Sequence, residues 1–246
     1  MINKNNPVGR LLKLIEQVQE LRNDYATASS LTKREAWGKI LDMEEASEME
    51  LVRAMLDVSD LARRSRVLIA SFSPNPDLFL LNFENVELTV LPNELNRQFE
   101  NTCSLISDDT ITRLAFASDM LSEFYDEGEV SENELKDISQ LITELYDEVK
   151  ASNFEVAVKT FLLEALEGIR RSVAHYEIYG AKGIRDAFQT ALGGVVANKD
   201  ELQATNHKGI VEKFGTALTK LDKATATAFK AKEVLGKSLK LLGIVA

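Results

Sequence analysis

Two stretches of this 246-residue chain carry residue types that do chemistry at a spacing that invites it. The first is Arg170-Arg-Ser-Val-Ala-His175. Imidazole titrates near neutral pH without any perturbation, so a histidine beside an arginine has the makings of acid–base chemistry on an anion. Five residues of separation turn the two side chains about 140° apart on a regular helix, so they share a face only if the helix is distorted. The second stretch is the acidic run Glu123-Phe-Tyr-Asp-Glu-Gly-Glu-Val-Ser-Glu-Asn-Glu134, whose oxygens suit a hard cation or a basic partner. Each has a plainer reading. His175 sits near a helix end with Arg170 and Arg171 pairing with surface acids, and the acidic run connects two helices, with Ser131 and Glu134 capping the second.

Other chemistries lack their residues. No Glu-x-x-His pair is present for a di-iron site in a bundle. Two histidines, His175 and His207, with the single Cys103 do not make a closed zinc site. No Gly-rich phosphate loop and no nucleophile motif occurs. No metal and no cofactor is therefore expected. One cysteine forms no internal disulfide, which fits a reducing compartment.

Three resemblances follow from these residues. Arg170, four residues and His175 resemble the motif of HEPN-type ribonucleases, small helical bundles that place the pair at a dimer interface. The resemblance implies an acid–base role for His175 and a phosphate-holding role for Arg170, without a metal. Gly128, Val130 and Glu134 resemble the later half of an EF-hand loop, although Glu123 and Tyr125 stand where that loop has Asp and an oxygen ligand. Gly180-Ala-Lys-Gly183 resembles the backbone-clamping loop of KH domains. That fold needs a sheet, so a turn between helices is the expected use.

The elements that must position these residues read as helices. Only 12 Gly and 4 Pro occur, too few for a many-turned β fold. Asn6-Pro7 places a cap before a proline at the first helical position. Thr32/Glu35, Ser47/Glu50, Ser131/Glu134 and Ser152/Glu155 have the spacing of capping boxes, in which hydroxyl and carboxylate each satisfy a backbone N–H. Trp37 is expected to anchor the core.

These signals predict an all-α, multi-helix bundle of about nine helices. A helical subdomain spans 1–70. An irregular apolar segment spans 71–92, where Pro74 and Pro76 stop a helix and Val86, Leu88 and Val90 alternate. A larger bundle spans 93–246, with helices near 93–105, 109–126, 132–151, 154–178, 182–197 and 207–244. Gly180 and Gly183 turn the chain before the fifth of these. Leu221, Ala228, Leu235 and Leu242 recur every seven residues in the last, with Lys223, Lys230 and Lys237 on another face.

Charge is divided along the chain. Residues 201–246 hold eight Lys against four acids, a net of +4, and the first 200 hold 21 basic against 35 acidic residues, a net of −14. An acidic body argues against nonspecific nucleic-acid binding. No apolar run is long enough to span a bilayer, and Met1 to Arg10 has no signal-type apolar stretch, so a cytoplasmic protein is expected. The Leu- and Ala-rich apolar face of the last helix suits a bundle better than a membrane surface. The expected function is non-enzymatic: a bacterial helical protein that binds another, basic protein, as an immunity or antitoxin-like inhibitor or a regulatory subunit. A homo-oligomer is compatible with this. Glu123, Asp126, Glu127 and Glu129 are the expected partner contacts.

Overall fold

The computed structural model describes residues 5–125 and 127–228. Among these residues it is all α, with thirteen helices, no strand, and one isolated backbone bridge between Thr32 and Gln98. Contacts divide the chain into two compact units, Met1–Asp126 and Glu127–Ala246. The break therefore lies in the acidic run, whereas the sequence suggested the proline region 71–92.

The first unit contains α1 (Pro7–Asn23), α2 (Tyr25–Ser30), α3 (Lys33–Ile40), α4 (Glu48–Phe72), α5 (Pro76–Leu80), α6 (Phe83–Val90), α7 (Glu100–Cys103) and α8 (Asp108–Ser122). Asn6 caps α1 by accepting the Gly9 N–H at 2.9 Å, and its side-chain amide donates to the Ser118 carbonyl on α8 at 2.8 Å. Val8, Leu11, Leu12, Leu14, Ile15 and Val18 are all buried, which makes α1 the central helix, packed on α3, α4 and α8. Capping boxes at Thr32/Glu35 and Ser47/Glu50 start α3 and α4, and Trp37 is fully buried in the core.

Residues 71–92 are not irregular. The Pro7 logic repeats at Pro76, which starts α5 at a position where its missing N–H costs nothing. Asn82, in the left-handed region at φ 59°, then turns the chain into α6. Phe83, Val86 and Val90 are buried at helical spacing, while Leu88 faces solvent, so the strand-like alternation was incidental.

The second unit contains α9 (Glu132–Ala151), α10 (Val156–Ala174), α11 (Tyr176–Ala197), α12 (Lys199–Ala204) and α13 (Lys208–Ala228). Four long helices pack in a ring, α9 on α10, α10 on α11, α11 on α13 and α13 on α9. Each contributes one apolar stripe to a single core: Ile138, Ile142, Leu145 and Val149 from α9, for example, and Phe214, Leu218 and Leu221 from α13. Ser131/Glu134 forms its capping box. Ser152/Glu155 does not. The Ser152 hydroxyl donates to the Val149 carbonyl at 2.6 Å and ends α9 instead. The helix expected over 207–244 runs from Lys208 through Ala228; Lys230, Leu235, Lys237 and Leu242 lie outside the described residues. Among the described residues no helix is long and apolar enough to cross a membrane.

Candidate functional sites

The Arg170/His175 motif occupies the joint between α10 and α11. Arg170 is exposed and its guanidinium makes two hydrogen bonds to Glu167, both 2.9 Å, within its own helix. Arg171 lies over the Tyr179 ring at 5.9 Å. His175 is half-buried and terminates α10. Its N–H donates to Arg171, and its carbonyl accepts from Ile178 and Tyr179 at 2.9 and 3.0 Å to start α11. The joint thus gives His175 a backbone role and Arg170 a carboxylate partner.

The acidic run forms a strap onto the helices of the second unit. Gly128 donates its N–H to the Ala228 carbonyl at 2.8 Å, so close that a Cβ there would lie 2.4 Å from that oxygen. Glycine is needed for this approach to α13. Val130 is buried, and its N–H donates to the Tyr176 hydroxyl at 2.8 Å. The Glu134 carboxylate accepts from the Ser131 N–H and hydroxyl at 3.1 and 2.6 Å, and the hydroxyl bond in particular holds its pKa below the ordinary glutamate value. Among the described residues no group of three His, Cys, Asp or Glu side chains is placed to hold a metal.

The four expected partner contacts therefore separate. Glu123 and Glu129 are exposed, and Asp126 lies outside the described residues. Glu127 is only 1% exposed and does not belong to the acidic surface. Gly180, at φ 65° and ψ −169°, breaks α11 and starts a new helical segment whose first N–H groups need acceptors. Glu127 supplies one, accepting the Lys182 backbone N–H at 2.6 Å. A carboxylate at a helix start also meets the positive end of the helix dipole, which offsets its burial. Gly180 is thus a kink inside α11 and Gly183 lies on the helix beyond it, whereas the sequence suggested a turn over both glycines between two helices; that turn falls at His175 instead.

The second histidine joins two connections of the second unit. His207 Nε2 lies 2.6 Å from Asn153 Oδ1, and its ring packs on Phe154 at 4.5 Å. Beside them is an open cleft of about 390 Å³, also lined by Glu155, Glu201 and Thr205.

Two features of the first unit had no clear sequence signal. One is Lys33, 2% exposed, whose ammonium reaches the Leu91 carbonyl at 2.7 Å, Asn93 Oδ1 at 3.2 Å and the Leu88 carbonyl at 3.4 Å. These are the last carbonyls of α6 and the turn beyond it, so Lys33 caps the negative end of that helix. Burial pulls its pKa from 10.5 down to about 8, against a smaller upward pull from Glu94.

The other is an apolar row on the surface. α8 and the turn after it present Arg113, Phe116, Met120 and Phe124 at helical steps along one face. Phe116 is 64% and Phe124 57% exposed. Phe124 stacks on Phe72 at the end of α4, with ring centres 5.6 Å apart. Arg113 donates to the Leu78 carbonyl and so holds α5 against α8. α5 has no buried residue, and its Leu78 and the Leu81 that follows it stand in solvent. Exposed Asp77, Asp119 and Glu123 border the row, and none of them forms an ion pair among the described residues.

Compared with family models, with curated proteins and with solved structures, the chain matches none.

Proposed function

We propose that this is a non-enzymatic, helical protein-binding protein whose partner carries a basic surface. The observation that carries this reading is the aromatic row of the first unit. Large apolar side chains in solvent cost free energy that a monomer gains nothing from, and a contiguous set of them with a polar rim is the usual mark of a protein interface. The rim is acidic and the chain as a whole carries −10, so a basic partner is favoured in both encounter and register. Within this class, an immunity or antitoxin-like inhibitor, or a regulatory subunit, of a bacterial conflict system fits best, because the targets of such inhibitors are often basic nucleic-acid-cleaving proteins.

The test is the state of the protein in its own cell. Gel filtration of gently lysed native cells is expected to elute the 27.4 kDa chain in a larger complex with one stoichiometric, basic partner. Elution as the free chain, with no partner recovered after crosslinking, would overturn the reading. RNA cleavage by the purified protein, abolished in both Arg170→Ala and His175→Ala, would replace it with the ribonuclease alternative.

A further inference from the structure

Resting on that protein-binding reading, we infer that the docking element of the partner is an amphipathic helix with Lys or Arg flanking its apolar face. It lies along the row formed by Phe72, Leu78, Phe116 and Phe124.

Three observations define this occupant. The first is shape. The apolar residues come from the end of α4, from α5 and from one face of α8, and the Phe72–Phe124 stack and the Arg113–Leu78 bond tie these elements together. The face is therefore made by side chains on helices. Among the described residues it offers no strand edge to extend, and side chains at helical steps form the ridges against which another helix packs. The second is charge. Asp77, Asp119 and Glu123 border the row without ion partners among the described residues, while the nearby arginines are already engaged. Arg113 pairs with Asp109 at 2.7 Å, and Arg64 donates to the Tyr125 hydroxyl at 2.8 Å. A helix bearing carboxylates would meet like charge at this rim, and a basic one meets its complement. The third is chemistry. Phe72, Phe116 and Phe124 are exposed, rigid aromatic side chains with few rotamers to fix, and aromatic residues are enriched at interfaces.

Fluorescence anisotropy with the full chain tests this. The probes are an amphipathic helical peptide of Leu and Lys, about 18 residues long so that it can hold a helix, and its Leu/Glu counterpart. The Leu/Lys peptide is expected to bind and the Leu/Glu peptide not to. Phe116→Ser/Phe124→Ser is expected to weaken binding about tenfold or more, and Asp119→Asn/Glu123→Gln about threefold with a shallower salt dependence. Val156→Ser, at an exposed apolar residue of the second unit, is expected to change nothing. Unchanged circular dichroism of the variants confirms folding, since every altered side chain is exposed.

Equal binding of the Leu/Lys peptide to the phenylalanine variant, no binding to the wild type, or equal binding of both peptides overturns the inference. So does a concentration-dependent dimer lost in Phe116→Ser/Phe124→Ser, which would make a second copy the occupant. Tenfold tighter peptide binding after deletion of residues 229–246 would make the chain's own end the occupant, with the same consequence. If a native complex is recovered and survives the phenylalanine substitutions, the protein-binding reading stands and only this face is wrong.

Discussion

The two units use apolar residues in opposite ways. Of the twelve large apolar side chains exposed among the described residues, ten belong to the first unit and two, Val156 and Val196, to the second. The second unit is a ring of four long helices whose stripes all meet in one core. The first packs helices of unequal length, from 4 residues in α7 to 25 in α4, about α1, buries a lysine and leaves an aromatic row in solvent. A regular bundle consumes its hydrophobic stripes in folding, so surplus apolar surface on the irregular unit points to contact with something else. Under the proposed protein-binding reading, the second unit is chiefly scaffold and the first carries the interface.

The largest effect is expected in the core of the second unit. Phe214 is 1% exposed and meets Phe161 edge-on at 6.2 Å, so Phe214→Ala is expected to lower stability by about 3–5 kcal/mol in urea titration. The next largest effect belongs to the buried cation of the first unit. The folded pKa of Lys33 lies below its unfolded one, so burial destabilises while the lysine is charged. The penalty is full below about pH 8 and is relieved as pH rises towards 10.5. The first unit should therefore gain on the order of 2–3 kcal/mol across that window, relative to Lys33→Met, in urea titrations at pH 7.5 and 10. A parallel pH profile in the variant would remove Lys33 from the account.

Gly180→Ala places a Cβ on a backbone at φ 65° and ψ −169° and is expected to cost about 1–3 kcal/mol. Faster hydrogen exchange should appear first at Lys182, whose N–H is held by Glu127. Smallest of all, Phe116→Ser should change stability by no more than about 0.5 kcal/mol, because the side chain is already in water. A loss of several kcal/mol there would mean that the row serves the fold.

The all-α class was legible because it was written locally. Three capping boxes, at Thr32, Ser47 and Ser131, close as their hydroxyl–carboxylate spacing requires, and α9 begins and ends where the sequence sets it. Ser152 failed because Phe154 follows it into the core and the chain turns there, leaving the hydroxyl to close α9. α6 was hidden because Val86, Leu88 and Val90 satisfy a period of two as well as part of a helical one, and only the burial of Phe83 decides between them. Glu127 could not be separated from Glu123 and Glu129 by type. What distinguishes it is an orphan N–H 55 residues away, at Lys182. Lys33 was concealed in the same manner, since its acceptors are backbone carbonyls near residue 90. The aromatic row is equally non-local. Phe72, Leu78, Phe116 and Phe124 become one surface only after α4, α5 and α8 have packed.

Site-specific photocrosslinking in the native cell asks whether the aromatic row touches a partner. A benzophenone side chain at position 116 is compared with one at position 156, which is similarly exposed but lies on the second unit. A single covalent adduct of defined mass is expected from position 116 and none from position 156. Adducts from position 156 alone, or none from either position, would contradict the proposed interface.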